Sequence, residues 1–350
     1  MRVVVIGATG NIGTSVLAAL TNDPQVSSIV AVARRPAEDG GPKMQWSARD
    51  VTRDDLDHLM DGADAVICLP WLIQPSRDLG TLRATNVEGS RRVFEAAGRV
   101  GVATLLYSSS VGAYSAGPKD RAVDESWPTR GIETSFYSRH KAEVEEILDR
   151  FEADHEAMRV VRMRPALVFK REAAAEIRRL FAGPFLPSPL VRRSLIPFVP
   201  RSERLRFQAV HSLDVGEAFR LALHRPVRGA FNLAADPVLD GDELGRVLGA
   251  RPVGVHPGLL RAASDLTWRL RLQPSPAGWV DMALGVPIMS TERARAELGW
   301  APRHSSRDAL IELLAGLRDD AGAGTPRLHS RAGGRFRKGE LRSGVGAREG

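Results

Sequence analysis

The sequence predicts an α/β protein: a doubly wound parallel sheet with helices on both faces, followed by a smaller, mixed C-terminal cap. Three observations carry this. The chain opens on an apolar run, Val3-Val4-Val5-Ile6, that enters a glycine-rich turn. Short apolar strand patterns then alternate with helical patterns as far as Pro165. Beyond Pro165 the alternation breaks, and Pro184, Pro187, Pro189, Pro197 and Pro200 crowd the stretch from Gly183 to Pro200, which reads as a loop-rich cap.

The first turn is Gly7-Ala8-Thr9-Gly10-Asn11-Ile12-Gly13. Gly7 permits the sharp bend, Gly10 lets the backbone approach a pyrophosphate, and Gly13 lets the next helix lie close to the strand. That helix is marked by Ile12, Val16, Leu17 and Leu20, and its N-terminal N–H groups face the phosphates. The turn therefore predicts a dinucleotide site with Gly7, Thr9, Gly10, Asn11, Ile12 and Gly13 in its wall. Ile29–Ala33 reads as the second strand and Met44–Ser47 as a short third. Thr52-Arg53-Asp54-Asp55 has the form of a capping box and predicts a helix start. Ala65–Leu69 is the fourth strand, with Leu69 at its cofactor end. Leu79–Val100 is a long helix carrying Asn86, and Thr104–Ser108 is the fifth strand. Phe136–His155 is the next helix, and Met158–Met163 the sixth strand. Later elements are a helix from Asp214, a strand near Phe231, helices from Asp242 and Leu259, and a last helix after the capping box Ser305-Ser306-Arg307-Asp308.

Two further motifs carry chemistry. In Tyr137-Ser138-Arg139-His140-Lys141, residues four apart share a helix face, so Tyr137 and Lys141 point into one cleft. A tyrosine with an ordinary pKa of about 10 is a poor acid or base at neutral pH. A lysine cation beside it stabilises the phenolate and makes it usable for proton transfer. The strand Leu105-Leu106-Tyr107 ends in Ser108-Ser109-Ser110, at the strand end where open α/β sheets bind ligands. Ser110 is the favoured hydroxyl to hold a substrate oxygen, with Ser109 second. At the end of the second strand, where an acidic residue would bind the ribose hydroxyls of NAD, the chain has Ala33-Arg34-Arg35-Pro36. Paired arginines there predict a contact with the 2′-phosphate of NADP.

In these motifs the chain resembles the extended short-chain dehydrogenase/reductases, the NAD(P)-dependent epimerase/dehydratase family, over roughly its first 315 residues. Gly7, Gly10 and Gly13 match that family's glycine loop. Asp50-Val51 is similar to its Asp-apolar pair at the adenine. Asn86-Val87-Glu88-Gly89 matches its Asn-x-x-Gly motif, and Ser110, Tyr137 and Lys141 match its catalytic triad. Arg164-Pro165 matches the pair near the nicotinamide. Val210 to Val215 and the Leu298-Gly299-Trp300 segment resemble later motifs. The resemblance implies a Rossmann-type fold, a cofactor that is NADP by preference or NAD, and hydride transfer between nicotinamide and a carbonyl or secondary alcohol. It implies that Tyr137 moves the proton, Lys141 orients the nicotinamide ribose, and Asn86 steadies a proton relay or is a buried structural amide. Dehydration is disfavoured because Val111-Gly112, not an Asp-Glu pair, follows Ser110. A nucleotide-sugar epimerase and a non-catalytic NAD(P) sensor are the alternatives. The presence of Tyr137 and Lys141 together speaks for an enzyme.

The remaining features bound the answer. Hydrophobic residues make up 43% of the 350, enough for a substantial core. The single cysteine, Cys68, excludes internal disulfides and fits a reducing compartment. No apolar run approaches the ~18 residues that span a bilayer, and no signal peptide is read at the start. A cytoplasmic protein with a small-molecule substrate is expected, with no membrane insertion and no metal-ligand spacing. Oligomeric state is not readable from the sequence; the resemblance implies that a homodimer would pair through the long helices Leu79–Val100 and Phe136–His155. The net charge of +7 owes most to the last residues, where seven basic side chains from Arg327 to Arg348 face only Glu340 and Glu349. This argues against nucleic-acid binding by the body. The cap arginines 178, 179, 192, 193, 201, 204 and 206 either clamp a diphosphate or are surface charge. The expected organisation is a dinucleotide-binding domain over 1–165, a cap over 166–318 interleaved with the sheet, and a basic, disordered tail over 319–350.

Overall fold

The computed structural model describes residues 1–38, 40–74, 76–181 and 196–329. β1 (Arg2–Ile6) leads through the glycine turn into α1 (Asn11–Thr21), β2 (Ser28–Ala33), β3 (Met44–Ala48), the short α2 (Asp57–Met60) and β4 (Ala65–Cys68). α3 (Leu79–Arg83) continues through a π-helical turn at Ala84–Glu88 into α4 (Gly89–Arg99), followed by β5 (Thr104–Ser108) and β6 (Ala122–Val123). Then come α5 (Phe136–Asp154), β7 (Arg159–Pro165), β8 (Leu167–Phe169) and α6 (Ala174–Phe181). The C-terminal part contains β9 (Phe198–Arg201), β10 (Phe207–His211), α7 (Ser212–His224), β11 (Gly229–Leu233) and β12 (Ala235–Leu239). It ends with α8 (Gly241–Leu248), β13 (Arg251–Gly254), α9 (Pro257–Arg269), α10 (Gly278–Gly285), β14 (Ile288–Met289) and α11 (Ser306–Arg318).

The main sheet is parallel throughout, in the order β11-β7-β5-β4-β1-β2-β3. Strand order reverses at β1, which opens a crevice at the carboxyl ends of β1 and β4, the place where such sheets bind ligands. Side chains alternate across the sheet. Val3, Val5, Ile29 and Leu106 enter one core with Val16, Leu20, Phe219 and Trp300. Val4, Ile6, Val66 and Leu105 enter the other with Phe94, Val144 and Leu148. The strands are apolar on both faces because helices cover both. α1 and α7 approach so closely that a Cβ on Gly216 would lie 2.5 Å from the Ser15 carbonyl oxygen. Beyond Pro165, β8, β10 and β12 form a small sheet, while β11 returns to the edge of the main one.

Four expectations need correction. The residues Thr52 to Asp55 do not cap a helix. The Asp50 carboxylate instead accepts from the Thr52 N–H (3.0 Å) and hydroxyl (2.8 Å), making a turn, and α2 starts only at Asp57. The helix expected over Leu79–Val100 is interrupted by the wider turn at Ala84–Glu88, which carries Asn86. The sixth strand runs on to Pro165 rather than stopping at Met163. The tail does not begin at 319. Residues 321–329 form a strap on the body in which Leu328 is fully buried. The Arg327 guanidinium pairs with Glu176 and donates to the Trp71 carbonyl (3.0 Å), and the Thr325 hydroxyl donates to the Thr9 carbonyl (3.0 Å). Composition misleads here because one leucine and one ion pair anchor an otherwise polar stretch. Of the Gly183–Pro200 stretch, residues 183–195 lie outside the described residues, as does 330–350 of the tail.

The strap makes a stability prediction. A chain ending at Asp320 is expected to lose roughly 1.5–3 kcal/mol, the value of burying one leucine side chain. A chain ending at His329 keeps all of these contacts and is the reference. Equal thermal midpoints for the two truncations would show that the strap contributes nothing.

Candidate functional site

The glycine turn is shaped by three distinct constraints. Gly7 sits at φ +83°, and a Cβ there would lie 2.9 Å from the Pro70 nitrogen. A Cβ on Gly13 would lie 2.4 Å from the Gly7 carbonyl oxygen, so only glycine lets α1 begin this close to β1. Gly10 caps α1 in extended conformation, with no side-chain cap and no acidic residue in the first turn. The first N–H groups of α1 thus point outward without an intrahelical partner, the positive end of the helix dipole. The Asn11 amide oxygen is buried and has no hydrogen-bond partner among the described residues. Unpaired donors and an orphaned acceptor at a helix N-terminus fit the phosphates and hydroxyls of a dinucleotide.

From this turn a cavity of about 1580 Å³ extends along the carboxyl ends of the main-sheet strands. That is larger than the usual drug-sized pocket, and it has room for a dinucleotide and a substrate together. Every residue predicted for the site except Asn86 lines it, from Arg34, Arg35, Asp50 and Val51 at one end to Ser110, Tyr137, Lys141 and Pro165 at the other. Burial pushes the Asp50 carboxyl up, but the Thr52 N–H and hydroxyl outweigh this and hold its pKa below the ordinary value. Val51 is tightly enclosed: a Cβ on Gly89 would lie 2.7 Å from its Cγ2, which accounts for glycine in Asn86-Val87-Glu88-Gly89.

Tyr137 and Lys141 lie in the first turns of α5, capped by the Ser135 hydroxyl, which accepts from the Ser138 N–H. The Ser138 hydroxyl in turn holds the turn after Ser110, donating to the Gly112 carbonyl and accepting from the Ile132 N–H at 2.7 Å. Gly112 is needed there, because a Cβ would lie 2.8 Å from Tyr137 Cε1. Ser110 Oγ accepts from the Gly112 N–H at 3.0 Å and faces the cavity. Ser109 is spent elsewhere, donating to buried Glu145 at 2.5 Å.

The electrostatics differ from the sequence expectation. Burial raises the Tyr137 pKa to about 12, and the Ser110 hydroxyl is the group that favours its phenolate. The Lys141 ammonium does not reach Tyr137. It donates to the Ser108 carbonyl (2.7 Å) and toward the Tyr107 hydroxyl (3.3 Å), beneath the Trp71 ring at 3.5 Å from its centroid. Burial lowers its pKa to about 7. At neutral pH Tyr137 therefore carries its proton.

Two matched residues serve the frame. Asn86 is fully buried, and its amide brackets the backbone of Leu72, accepting from the N–H and donating to the carbonyl, both at 2.7 Å. These bonds make Asn86 a buried structural amide that fixes the loop carrying Trp71. Arg164 points into the core rather than the cavity. It grips Glu145 with Nε and Nη2 (2.9 and 3.0 Å) and donates to the Tyr114 hydroxyl and the Glu125 carbonyl. Its neighbour Pro165 lines the cavity.

The arginine-rich cap resolves mainly as structure. Arg178 pairs with Asp320, Arg201 with Asp242, and Arg204 donates to the Leu284 and Gly117 carbonyls. Of the five cap arginines among the described residues, Arg179 alone lines the cavity; Arg192 and Arg193 lie outside them. Sequence reasoning missed Trp279, Met282, Glu176 and Arg327, which also line it. No local motif marks them, since they arrive from α10, α6 and the strap. Among the described residues, His211, His304 and Glu312 cluster closely enough for a metal. However, His211 Nδ1 accepts from the Leu213 N–H, so Nε2 carries the proton and donates to Glu312 at 3.0 Å, leaving no lone pair for an ion.

Residues 3–234 match the model of the NAD dependent epimerase/dehydratase family. No curated protein matches the chain. Among solved structures, 91% of the chain superposes on 98% of a short-chain dehydrogenase/reductase superfamily protein from Agrobacterium tumefaciens with bound NAD, at 23% identity and a TM-score of 0.67. It superposes equally on 99% of a UDP-glucose 4-epimerase from Thermotoga maritima with UDP-glucose (17%, 0.67). It also superposes on 97% of DesIV, a dTDP-glucose 4,6-dehydratase from Streptomyces venezuelae with NAD (17%, 0.66). At these identities the likeness establishes the fold.

Proposed function

Because the chain belongs to the NAD dependent epimerase/dehydratase family and is an enzyme of the extended short-chain dehydrogenase/reductase type, we propose that it transfers hydride between a nicotinamide dinucleotide and a carbonyl or secondary alcohol. The observation that carries this reading is the convergence of Ser110 and Tyr137 in the cavity that starts at the glycine turn. The turn Gly7–Gly13 would hold the pyrophosphate, Asp50 and Val51 the adenine, and Leu69 and Pro165 the nicotinamide end. A bound reduced nicotinamide supplies the hydride. The protein's groups act on the oxygen: Ser110 Oγ hydrogen-bonds it, and Tyr137 donates the proton that completes the alcohol. Lys141, four residues along the same helix face, serves the nicotinamide ribose. Loss of NADPH absorbance with a carbonyl substrate tests the proposed hydride transfer. An epimerase would instead interconvert substrates with no net consumption of cofactor.

We further propose that NADP is preferred, on the strength of Arg34 and Arg35 at the adenosine end of the cavity. Changing both to alanine is expected to weaken NADP binding roughly tenfold or more, the value of one or two charge-assisted hydrogen bonds, and to leave NAD binding nearly unchanged. Calorimetry in which the unaltered protein binds NAD more tightly would reverse the assignment.

A further inference from the structure

The walls around Tyr137 say what kind of molecule reaches it. Trp71 stands edge-on to the Tyr137 ring (centroids 5.6 Å, 71°), and Trp279 leans over it from α10 (5.0 Å, 43°). Leu72, Ile177, Leu180 and Met282 continue this wall. Aromatic and aliphatic side chains at such distances make a slot that gains most by enclosing flat or branched apolar groups. The Trp71 Nε1 is buried and has no hydrogen-bond partner among the described residues.

The same walls are poorly suited to a diphosphate. Arg179 donates to the Arg327 carbonyl (3.1 Å), and Arg327 is held by Glu176 and the Trp71 carbonyl. Glu176, only 5% exposed, places a carboxylate in the cavity wall beside them. Among the described residues the Glu176 carboxylate cancels the charge of Arg327, which leaves at most the single charge of Arg179 in this group, too little to balance an enclosed dianion.

We propose that the substrate is an uncharged ketone, or the corresponding secondary alcohol, carrying an aromatic or bulky apolar group, and that it is not a nucleoside diphosphate sugar. This rests on the reaction proposed above and specifies its substrate class.

The test is calorimetry on the full chain loaded with NADP, using benzylacetone and UDP as probes. Benzylacetone is expected to bind at least tenfold more tightly than UDP. Trp279→Ala should weaken it by about tenfold, the loss of one aromatic contact with its buried area. Trp279 also packs edge-on to Phe136 (centroids 6.0 Å, 86°), so Trp279→Phe, which keeps a ring there, should lose less and guards against a folding defect. Tighter binding of UDP, reduced by Arg179→Ala, would overturn the inference, as would no binding of benzylacetone. The two readings fail separately. Turnover of a UDP-sugar that Tyr137→Phe abolishes would remove the substrate class and keep the tyrosine chemistry. Tight benzylacetone binding without cofactor consumption would keep the substrate class and remove hydride transfer.

Discussion

Tyr137→Phe is expected to lower turnover by roughly 10²–10⁴, the usual contribution of a positioned acid or base, with cofactor affinity nearly unchanged. The ring stays, so its contacts with Trp71 and Trp279 survive, and the glycine turn that would bind the pyrophosphate is untouched. Only the proton is lost. Ser110→Ala should cost less, because it removes a hydrogen bond to the substrate oxygen and leaves the donor in place. Lys141→Met should damage both turnover and cofactor binding, because the ammonium lies beneath Trp71 and braces the Ser108 carbonyl at the end of β5. Steady-state kinetics paired with cofactor titration separates these outcomes. Full activity of Tyr137→Phe on the true substrate would sink the mechanism and leave the likeness at the level of the fold.

Glu145→Gln is expected to produce the largest stability loss. Glu145 is almost completely buried between Arg162 (3.0 Å) and Arg164 (2.9 and 3.0 Å), and both arginines are themselves buried. Removing one partner of a buried ion pair leaves uncompensated charge and costs about 3–5 kcal/mol, or roughly 4–7 °C in thermal midpoint for a chain of this size. The loss also has a pH signature. Burial alone would raise the Glu145 pKa, but hydrogen bonds and charge from Arg164, with the charge of Arg162, outweigh it and hold the pKa at about 2, below the ordinary 4.5. A depressed carboxyl pKa stabilises the fold above the unfolded value and ceases to do so as pH falls through the folded one. The gap in thermal midpoint between the unaltered protein and Glu145→Gln should therefore be full above about pH 4.5 and shrink from there toward pH 2. A gap that stays constant over that window would show that the carboxylate charge is not what stabilises the core.

Glu145 also marks where sequence reasoning stopped. It lies four residues beyond Lys141 on the helix that was recognised for its chemistry. Nothing local distinguishes it from the exposed Glu146 beside it, because its partners stand on β7, and only strand pairing sets them under α5. Asn86 shows the same limit from the other side. Its motif was legible, but its bonds to Leu72 were not, since a loop 14 residues earlier in the chain supplies them.

What the sequence determined by itself was whatever depends on short-range chemistry. Glycines at 7, 10 and 13 obey backbone sterics within one turn, and the strands show as short continuous apolar runs because both of their faces are covered. Tyr137 and Lys141 share a face through the helical repeat, and Arg34-Arg35 ends a strand. Each can be read from a few neighbouring residues, and together they were enough for the fold class and for nearly all of the cavity's floor. The tertiary structure alone decided the roof and the charge balance. Trp279 reaches Tyr137 from 142 positions away, Arg327 reaches Glu176 across 151, and Thr325 reaches Thr9 across 316. Burial, which the whole fold sets, puts Tyr137 near pKa 12 and Lys141 near 7. Contacts of this range leave no periodic trace in a sequence, because the loops between them can vary in length and composition without moving the atoms that meet.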